Sequence, residues 1–310
     1  MATNDFKPFS IGAGANVMTQ SDWVTLAALA TGFQSGKASS AQINKALRQG
    51  TVMASVLAQF IADSSGADVL DDGNTALILS RLKSGLLSAS PGRLLGVKVI
   101  TSSGTYTPTA GTKSIVVECQ GGGGAGGGST ATTAGNSSVG SGGSEGCYGK
   151  SLFTNLSSSY SVTIGSGGVG VSGGNGGAGG ASSFGSLLTA GGGLGGGVLP
   201  SGSTAAFVGL TGSTPPTVTG ANIFASTYAG TFISGTRLSS AYDIGTLTGL
   251  GGRSIFGDGG GNKSSSGSGN AAVSYGGGGG GAKSWINAGA DIAYAGGNGA
   301  KGVIIVWEYA

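Results

Sequence analysis

The sequence contains no histidine in its 310 residues, and charged side chains are scarce. Histidine acid–base catalysis, Ser-His-Asp chemistry and histidine metal ligation are therefore excluded within this chain. The 15 Lys and Arg residues and 12 Asp and Glu residues leave a net charge of +3. Because nucleic-acid binding requires a basic stripe, which is absent, we expect no nucleic-acid partner.

Cysteine and long apolar runs are also scarce. The two cysteines, Cys119 and Cys147, are too few for a disulfide framework, and we expect both to pack as small buried hydrophobic residues. The apolar run Val303 to Trp307 is far shorter than the roughly 18 residues that indicate a membrane span. The first residues lack a basic region and an apolar stretch, so we expect no signal peptide and synthesis in a reducing cytosol.

Glycine is the abundant residue, and its uneven distribution divides the chain. Residues 1–90 hold 8 of the 69 glycines, and residues 91–310 hold the other 61. The stretch Ser88-Ala-Ser-Pro-Gly92 breaks both helix and strand. The sequence therefore predicts a short α-helical region over 1–90 and a glycine-rich, mainly β domain over 91–310.

Helix signals are found in the first region. Ser39 and Gln42 have the spacing of a capping box, and Asn74 is a second predicted N-cap. A shorter helix is predicted from about Ser21 to Ala30. After Ser39, one helical face repeats at alternating spacings of four and three, which is close to a heptad seam and favours association with copies of the same chain. This seam comprises Ile43, Leu47, Gly50, Ala54, Leu57 and Ile61. A small independent helical bundle is the alternative.

Alternating apolar residues predict strands in the second region. The predicted strands are Leu95 to Val99, Ile115 to Cys119, Tyr160 to Ile164, Phe184 to Thr189, and the terminal Gly302 to Tyr309. We expect the last of these to be buried in a sheet.

Six glycine tracts separate these strands, at residues 121–128, 173–180, 191–197, 257–261, 276–281 and 296–302. A flexible linker is the usual interpretation of one such tract. The tracts beginning at Gly173 and Gly296 repeat every three residues, which is the period of the polyproline II helix. They contain no proline, so we predict polyglycine II-like helices packed side by side instead of collagen.

Two sets of residues resemble a known family. Phe6-Lys-Pro-Phe9, Gly32-Phe-Gln-Ser-Gly36 and Gln42-Ile-Asn-Lys-Ala-Leu47 resemble the N-terminal part of tail fibre proteins from phages and prophages of enteric bacteria. Gly104-Thr-Tyr-Thr-Pro108, Ile115-Val-Val-Glu-Cys-Gln-Gly-Gly-Gly-Gly124 and the terminal Gly302-Val-Ile-Ile-Val-Trp-Glu-Tyr309 are similar to the glycine-rich C-terminal domain of such fibres.

The resemblance implies a homotrimeric fibre of the virion. Its N-terminal region would attach to a phage tail or baseplate protein, and its C-terminal tip would bind a host outer-membrane protein or lipopolysaccharide. It also implies kinship with polyglycine II adhesins, whose loops contact the receptor. No receptor-binding residue can be transferred by position, and no cofactor or metal is implied.

Recognition is expected in the inserts between the tracts, because glycine itself carries no side chain and loops on rigid scaffolds commonly bind partners. Tyrosine, tryptophan and arginine dominate binding hot spots. The predicted receptor-binding residues are Tyr148, Lys150, Tyr228, Arg237, Tyr242, Trp285 and Tyr294. Packing of each side chain against its own domain is the alternative.

Three other functions are considered. A purely structural tail spacer would need none of these inserts. A capsule-degrading hydrolase would need paired carboxylates, whereas the few acidic residues after residue 90 are widely separated in sequence, so we expect no enzyme. Ice binding would need a flat, regular threonine or alanine array, which the irregular aromatic inserts do not suggest.

Overall fold

The structure is a computed structural model that describes residues 2–34, 36, 38–212, 214–227, 233–239 and 245–310. The chain forms two compact units, Met1–Arg93 and Leu94–Ala310. Helices occupy the first unit, and the second unit is mainly β.

The described residues of the first unit form four helices: α1 Gln20–Val24, α2 Ala28–Thr31, α3 Ser40–Ser65 and α4 Thr75–Ser88. The predicted capping box is confirmed, since the Ser39 hydroxyl accepts from the Gln42 backbone N–H and the Gln42 side chain accepts from the Ser39 backbone N–H. The Asn74 cap of α4 is also confirmed. These local hydrogen bonds satisfy amide donors that have no partner inside a helix.

The single short helix predicted from Ser21 to Ala30 is instead two helices. Thr25 ends α1, and its hydroxyl donates to the Ser21 and Asp22 carbonyl oxygens. A threonine side chain that bonds to nearby carbonyls competes with helix continuation. The chain therefore turns before α2 begins at Ala28.

The predicted seam of α3 is divided between two environments. Ile61 lies in the core of the unit with Ala58, Ala62 and Val69. Ile43, Leu47 and Leu57 are exposed on the unit. The seam does not act as one continuous face within a single chain, because α4 covers only the C-terminal part of α3.

The described residues of the second unit form eighteen strands, most of them short. They are β1 Leu94–Ile100, β2 Gly104–Tyr106, β3 Ser114–Gln120, β4 Thr132–Thr133, β5 Ser137–Gly140, β6 Tyr148–Phe153, β7 Tyr160–Thr163, β8 Ser182–Phe184, β9 Leu188–Ala190, β10 Val198–Gly202, β11 Ala206–Val208, β12 Val218–Thr219, β13 Phe224–Ser226, β14 Gly235–Arg237, β15 Thr246–Leu247, β16 Lys283–Trp285, β17 Ala290–Asp291 and β18 Val303–Tyr309.

Two five-stranded sheets pack face to face and form a sandwich. Their strand orders are β1-β18-β3-β6-β13 and β12-β9-β8-β7-β2. The core between them contains Phe184, Leu188, Ile115 and Ile304 among other buried residues. Both cysteines lie in this core with free thiols, as predicted. Burial raises the pKa of the Cys119 thiol to about 12 and that of Cys147 to about 11, so both stay protonated at neutral pH.

The terminal strand β18 is buried in a sheet, as predicted, and pairs with β1 on one side and β3 on the other. The strand predicted from Phe184 to Thr189 is instead the hairpin of β8 and β9. Gly185 adopts a φ of 52°, which side-chain-bearing residues rarely adopt, and this turn reverses the chain.

A buried carboxylate fixes one edge of the sandwich. Glu308 is fully buried and accepts hydrogen bonds from the Tyr106 hydroxyl at 2.7 Å, the Thr109 hydroxyl at 2.6 Å and the Thr109 backbone N–H at 3.1 Å. Burial alone would raise the pKa of Glu308, but these hydrogen bonds outweigh it and lower that pKa.

Six of the strands continue directly into stretches rich in glycine. These stretches follow β3, β7 and β9 and precede β6, β8 and β18. Together with one further stretch before β16, they form an assembly that we call the glycine bundle. It comprises residues 121–128, 141–147, 165–171, 174–180, 191–197, 276–282 and 294–300.

Residues 121–128 form the central tract of the glycine bundle, and their backbone hydrogen bonds change partner with every residue. The N–H groups of Gly121, Gly124 and Gly127 donate to residues 147, 144 and 141. The N–H groups of Gly122, Ala125 and Gly128 donate to residues 180, 177 and 174. Those of Gly123 and Gly126 donate to residues 300 and 297, and Ser129, directly after the tract, continues this series to residue 294. Three neighbouring tracts thus receive these bonds with a period of three.

Three other tracts donate to the carbonyl oxygens of the same central tract. The donors are Gly168 in one tract, Gly193 and Gly196 in a second, and Gly279 and Ala282 in a third. The central tract is therefore surrounded by six others, and backbone groups bond in every direction around it.

The close spacing of these backbones requires glycine. A Cβ placed on Gly124 would lie 2.0 Å from the Leu194 carbonyl oxygen, and one on Gly126 would lie 2.0 Å from that of Gly280. Every other glycine of the central tract would meet a backbone oxygen at 2.0–2.2 Å. Such distances lie far inside van der Waals contact, so a side chain cannot be accommodated without moving a neighbouring tract.

Candidate functional site at the far end of the glycine bundle

The glycine bundle has two distinct ends. One end joins the sandwich, where the second unit begins at Leu94 in β1. At the other end lie four loops, and we call these loops the far end. Two of them connect tracts of the glycine bundle directly, and the turn at residues 172 and 173, which connects two further tracts, lies beside them. The far end comprises residues 129–140, 198–206, 262–268 and 283–293.

Short strands tie three of the far-end loops together. β5 in the first loop pairs with β10 in the second and with β16 in the last, and β4 pairs with β17. The third loop joins them through Ser266, whose hydroxyl donates to the Trp285 carbonyl and accepts from the Trp285 N–H, both at 2.8 Å. The far end is thus a hydrogen-bonded surface, with its loops fixed to one another.

Arg237, a predicted receptor-binding residue, lies beneath these loops. It is 5% exposed, and its guanidinium donates to the carbonyl oxygens of Thr204 at 2.6 Å, Ser137 at 2.6 Å and Pro200 at 2.8 Å. Burial lowers the pKa of Arg237. The side chain therefore joins two far-end loops and offers little surface to a partner.

Trp285 and Tyr294, also predicted, lie in and beside the last far-end loop and are half-buried. The Tyr294 hydroxyl donates to Asp291 Oδ1 at 2.8 Å, and the Ser284 hydroxyl donates to Oδ2 at 3.2 Å. Thr132, from the first loop, shares a 2.9 Å hydrogen bond with Ser284. The structure thus brings one tyrosine, two hydroxyl side chains and one carboxylate together. Trp285 follows Ser284 in β16, so its side chain belongs to the opposite face of that strand.

Hydrogen bonding keeps this carboxylate ionised. Partial burial raises the pKa of Asp291, but hydrogen bonds outweigh burial and lower it; the donors include the Tyr294 hydroxyl, the Ile292 N–H and the Ser284 hydroxyl. The hydrogen bond to Asp291 is also the main reason that the pKa of Tyr294 is raised. The Tyr294 phenol accordingly remains a donor at neutral pH.

Tyr148 and Lys150 lie at the opposite end of the glycine bundle, on β6 of the sandwich. Tyr148 is 7% exposed, and its ring centroid lies 6.0 Å from that of Phe224. Lys150 forms an ion pair with Glu118 at 3.0 Å. The seven predicted residues therefore do not form one site. Tyr228 and Tyr242 lie outside the described residues.

Sequence reasoning did not select Thr132, Ser266 and Ser284, although they connect the far-end loops. Serine and threonine are common throughout this glycine-rich sequence, so single examples carry no signal. The pairing of β4 with β17 and of β5 with β16 brings Thr132 and Ser284 together, and hydrogen bonds to Trp285 bring Ser266 beside them.

Charge is distributed unequally between the two ends. The described far-end loops contain three charged residues, of which Lys283 is buried and Lys263 and Asp291 are half-buried. The described residues at the sandwich end include several exposed charges. These are Lys98, Lys113, Arg253, Asp258 and Lys301. The exposed part of the far end consists of small, uncharged residues, mostly serine, threonine, asparagine, alanine and glycine.

Neither a metal site nor a membrane-spanning helix is found in the part of the chain that the structure describes. No group of three or more Cys, Asp or Glu residues there could hold a metal ion. No described helix is long and apolar enough to cross a membrane.

The second unit is a β-sandwich whose strands continue into a glycine bundle, so the protein is of the glycine-rich, mainly β class. Residues 100–309 match the family described as a glycine-rich domain. Since this match covers more than half of the chain, the chain belongs to that family. No curated protein matches the chain.

Proposed function

We propose that this protein is a homotrimeric bacteriophage tail fibre that binds the host cell surface. Residues 1–90 attach to a tail or baseplate protein, and residues 91–310 form the receptor-binding tip of the virion. The tail-fibre resemblance of the N-terminal motifs and of the strands around the glycine tracts suggests this function. The family match supports the glycine-rich part of it.

The position of the far end is the observation that carries the proposal. Four loops lie together at the end of the glycine bundle opposite the β1 residue where the second unit begins. Binding loops are commonly held on a rigid scaffold in this way. We propose that this end of the second unit is the one that contacts the host.

We further propose that the tracts of the glycine bundle are polyglycine II helices. In such a helix, three residues complete a turn, so successive N–H groups point to three different neighbours. The threefold rotation of hydrogen-bond partners along residues 121–128 supports this assignment. Bonding in all directions makes the tip stiff, which suits a surface that must meet its receptor without prior folding.

Exposed apolar residues on α3 support the proposed homotrimer. The helix has 26 residues but only three charged ones, Lys45, Arg48 and Asp63. Large apolar side chains on it, including Ile43, Leu47 and Val56, are exposed on the single chain. A helix with this surface is stabilised by partner helices that cover it, and equivalent helices from three copies would do so.

A triple substitution tests the receptor-binding role. Tyr228, Tyr242 and Trp285 are replaced by alanine in the full-length chain, and binding of the labelled protein to a panel of enteric bacteria is measured by flow cytometry. We expect cell binding to be lost while light scattering still reports a trimer. Three identical tips multiply weak contacts, so the loss should be large.

A matched triple substitution at the sandwich end is the control. Val273, Ile255 and Tyr275 are exposed and lie in connecting segments at that end. Their replacement by alanine should leave cell binding unchanged. If the first triple variant binds as well as the unmodified chain, the protein acts as a structural spacer of the tail instead.

A further inference from the structure

The charge distribution of the second unit bears on the chemistry of the receptor. Exposed charges occur at the sandwich end, whereas the charged residues of the described far-end loops are buried or half-buried. Long-range attraction to phosphates requires exposed Lys or Arg. Arg237 and Lys283 are unsuited to this role, since they are 5% and 1% exposed and donate to carbonyl oxygens of the chain itself. This leaves the half-buried Lys263 as the one partly exposed cation of the described far-end loops, against the half-buried Asp291. The far end is therefore not built to bind an anionic surface.

The far-end surface also lacks the central cluster of large side chains that a protein partner requires. Protein interfaces bury a central cluster of large aromatic, methionine or arginine side chains. The exposed large hydrophobic side chains described at or directly beside the far-end loops are Ile292, Val171 and Phe207, which belong to three separate segments, and Trp285 is half-buried. Around them lie small hydroxyl and amide side chains such as Thr133, Ser265 and Asn287. This surface suits a ligand that presents many hydroxyl groups and no charge.

Resting on the proposed function, we propose that the far end binds an uncharged saccharide of the host surface, with Tyr294 as the aromatic contact beside Asp291 and Ser284. An aromatic ring packs against the apolar face of a sugar, and its polar neighbours bond to the hydroxyl groups. Asp291 holds Tyr294 and Ser284 in place through its hydrogen bonds and supplies the single negative charge, which disfavours phosphate-bearing ligands.

Chemically treated membranes test this proposal. Outer-membrane vesicles are prepared from a strain that the full-length protein binds, and they are left untreated, oxidised with periodate to cleave vicinal diols, or digested with protease. We expect periodate to abolish binding and protease to leave it intact. Because the far-end loops carry one half-buried cation and one half-buried anion, binding should change by less than about twofold between ~50 and ~500 mM NaCl.

Each other result has a defined meaning. Loss of binding after protease alone identifies a protein receptor, and a steep fall with salt identifies an anionic one; either result overturns the saccharide while the proposed tail-fibre function stands. Failure to bind any strain instead overturns the proposed function itself, and the saccharide proposal with it.

A pair of variants tests whether the saccharide binds at the far end. Ala288→Arg adds a long cation to an exposed position of the last far-end loop, and we expect vesicle binding to fall at least about tenfold. Val273→Arg adds the same cation at an exposed position near the sandwich end and should leave binding unchanged. Equal binding by the two variants would contradict the proposed location.

Discussion

In the helical unit, the buried atoms belong mainly to side chains, and Ile61, Ala62 and Val69 fill the space between α3, α4 and the first residues of the chain. In the glycine bundle, the buried atoms belong mainly to the backbone, and residues 121–128 bond to neighbouring tracts on all sides. The first type of core tolerates a change of side-chain size by leaving a cavity. The second type contains almost no side chains to shorten and is disrupted by adding one.

The largest expected effect comes from Gly124→Ala in the central tract. The new Cβ would lie 2.0 Å from the Leu194 carbonyl oxygen and 2.4 Å from its carbon, and both atoms are backbone. Neither atom can rotate away, so we expect a loss of stability above ~4 kcal/mol, a range associated with severe structural disruption. Hydrogen exchange of residues 121–128 should lose its protection.

Gly104→Ala is the control for this prediction. Gly104 lies in β2 of the same unit, and a Cβ placed on it would meet no atom within 4 Å. Its replacement should change stability by less than about 1 kcal/mol. If the amide hydrogens of residues 121–128 exchange at the same rate in both variants, close backbone packing is not what stabilises the glycine bundle.

The second expected effect concerns the side-chain core of the helical unit. Ile61→Ala removes the largest fully buried side chain of that unit. Shortening such a residue costs about 2–5 kcal/mol because a cavity remains. Helical circular dichroism during thermal unfolding should shift to lower temperature, whereas protection of residues 121–128 should be unchanged. A parallel loss in both units would show that they unfold together.

The smallest expected effect concerns the Glu308 carboxylate and its dependence on pH. Its folded pKa is lowered, so its stabilisation is present above the ordinary glutamate pKa of about 4.3 and is lost as the pH falls through the folded value. Glu308→Gln removes the charge-assisted bonds from Tyr106 and Thr109, and we expect it to cost about 1–3 kcal/mol at pH 7.

Urea unfolding of both forms at pH 7 and pH 3 checks this expectation. The Gln variant should lose less stability between the two pH values than the unmodified chain does. Some pH dependence should remain, because the pKa of Asp291 and of Asp68 is lowered as well. An identical pH dependence in the two forms would show that the Glu308 charge contributes nothing.

The sequence predicts the parts of the fold that depend on neighbouring residues. The caps at Ser39 and Asn74 are local, since each side chain bonds to an amide three residues away. The alternation in β1, β3 and β18 is equally local, and all three strands are found. The missed hairpin after Phe184 depends on a positive φ at Gly185, which one glycine among 69 does not reveal.

The arrangement of the tracts and of the candidate site could not be predicted in the same way. The period of three indicates how one tract is coiled, but every tract is glycine-rich and nothing in its composition selects its neighbours. For the same reason, no local pattern indicates that Arg237 lies beneath the far-end loops or that Asp291 meets Thr132 through Ser284.

The continuation of sandwich strands into glycine tracts has a consequence for how such a protein can diversify. Each connecting segment leaves one fixed tract and returns along another, and the tracts bond through main-chain atoms alone along most of their length. Insertions, deletions and exchanges in a connecting segment therefore leave the supporting framework intact. New surface chemistry can arise there by recombination between relatives, without compensating changes elsewhere in the chain.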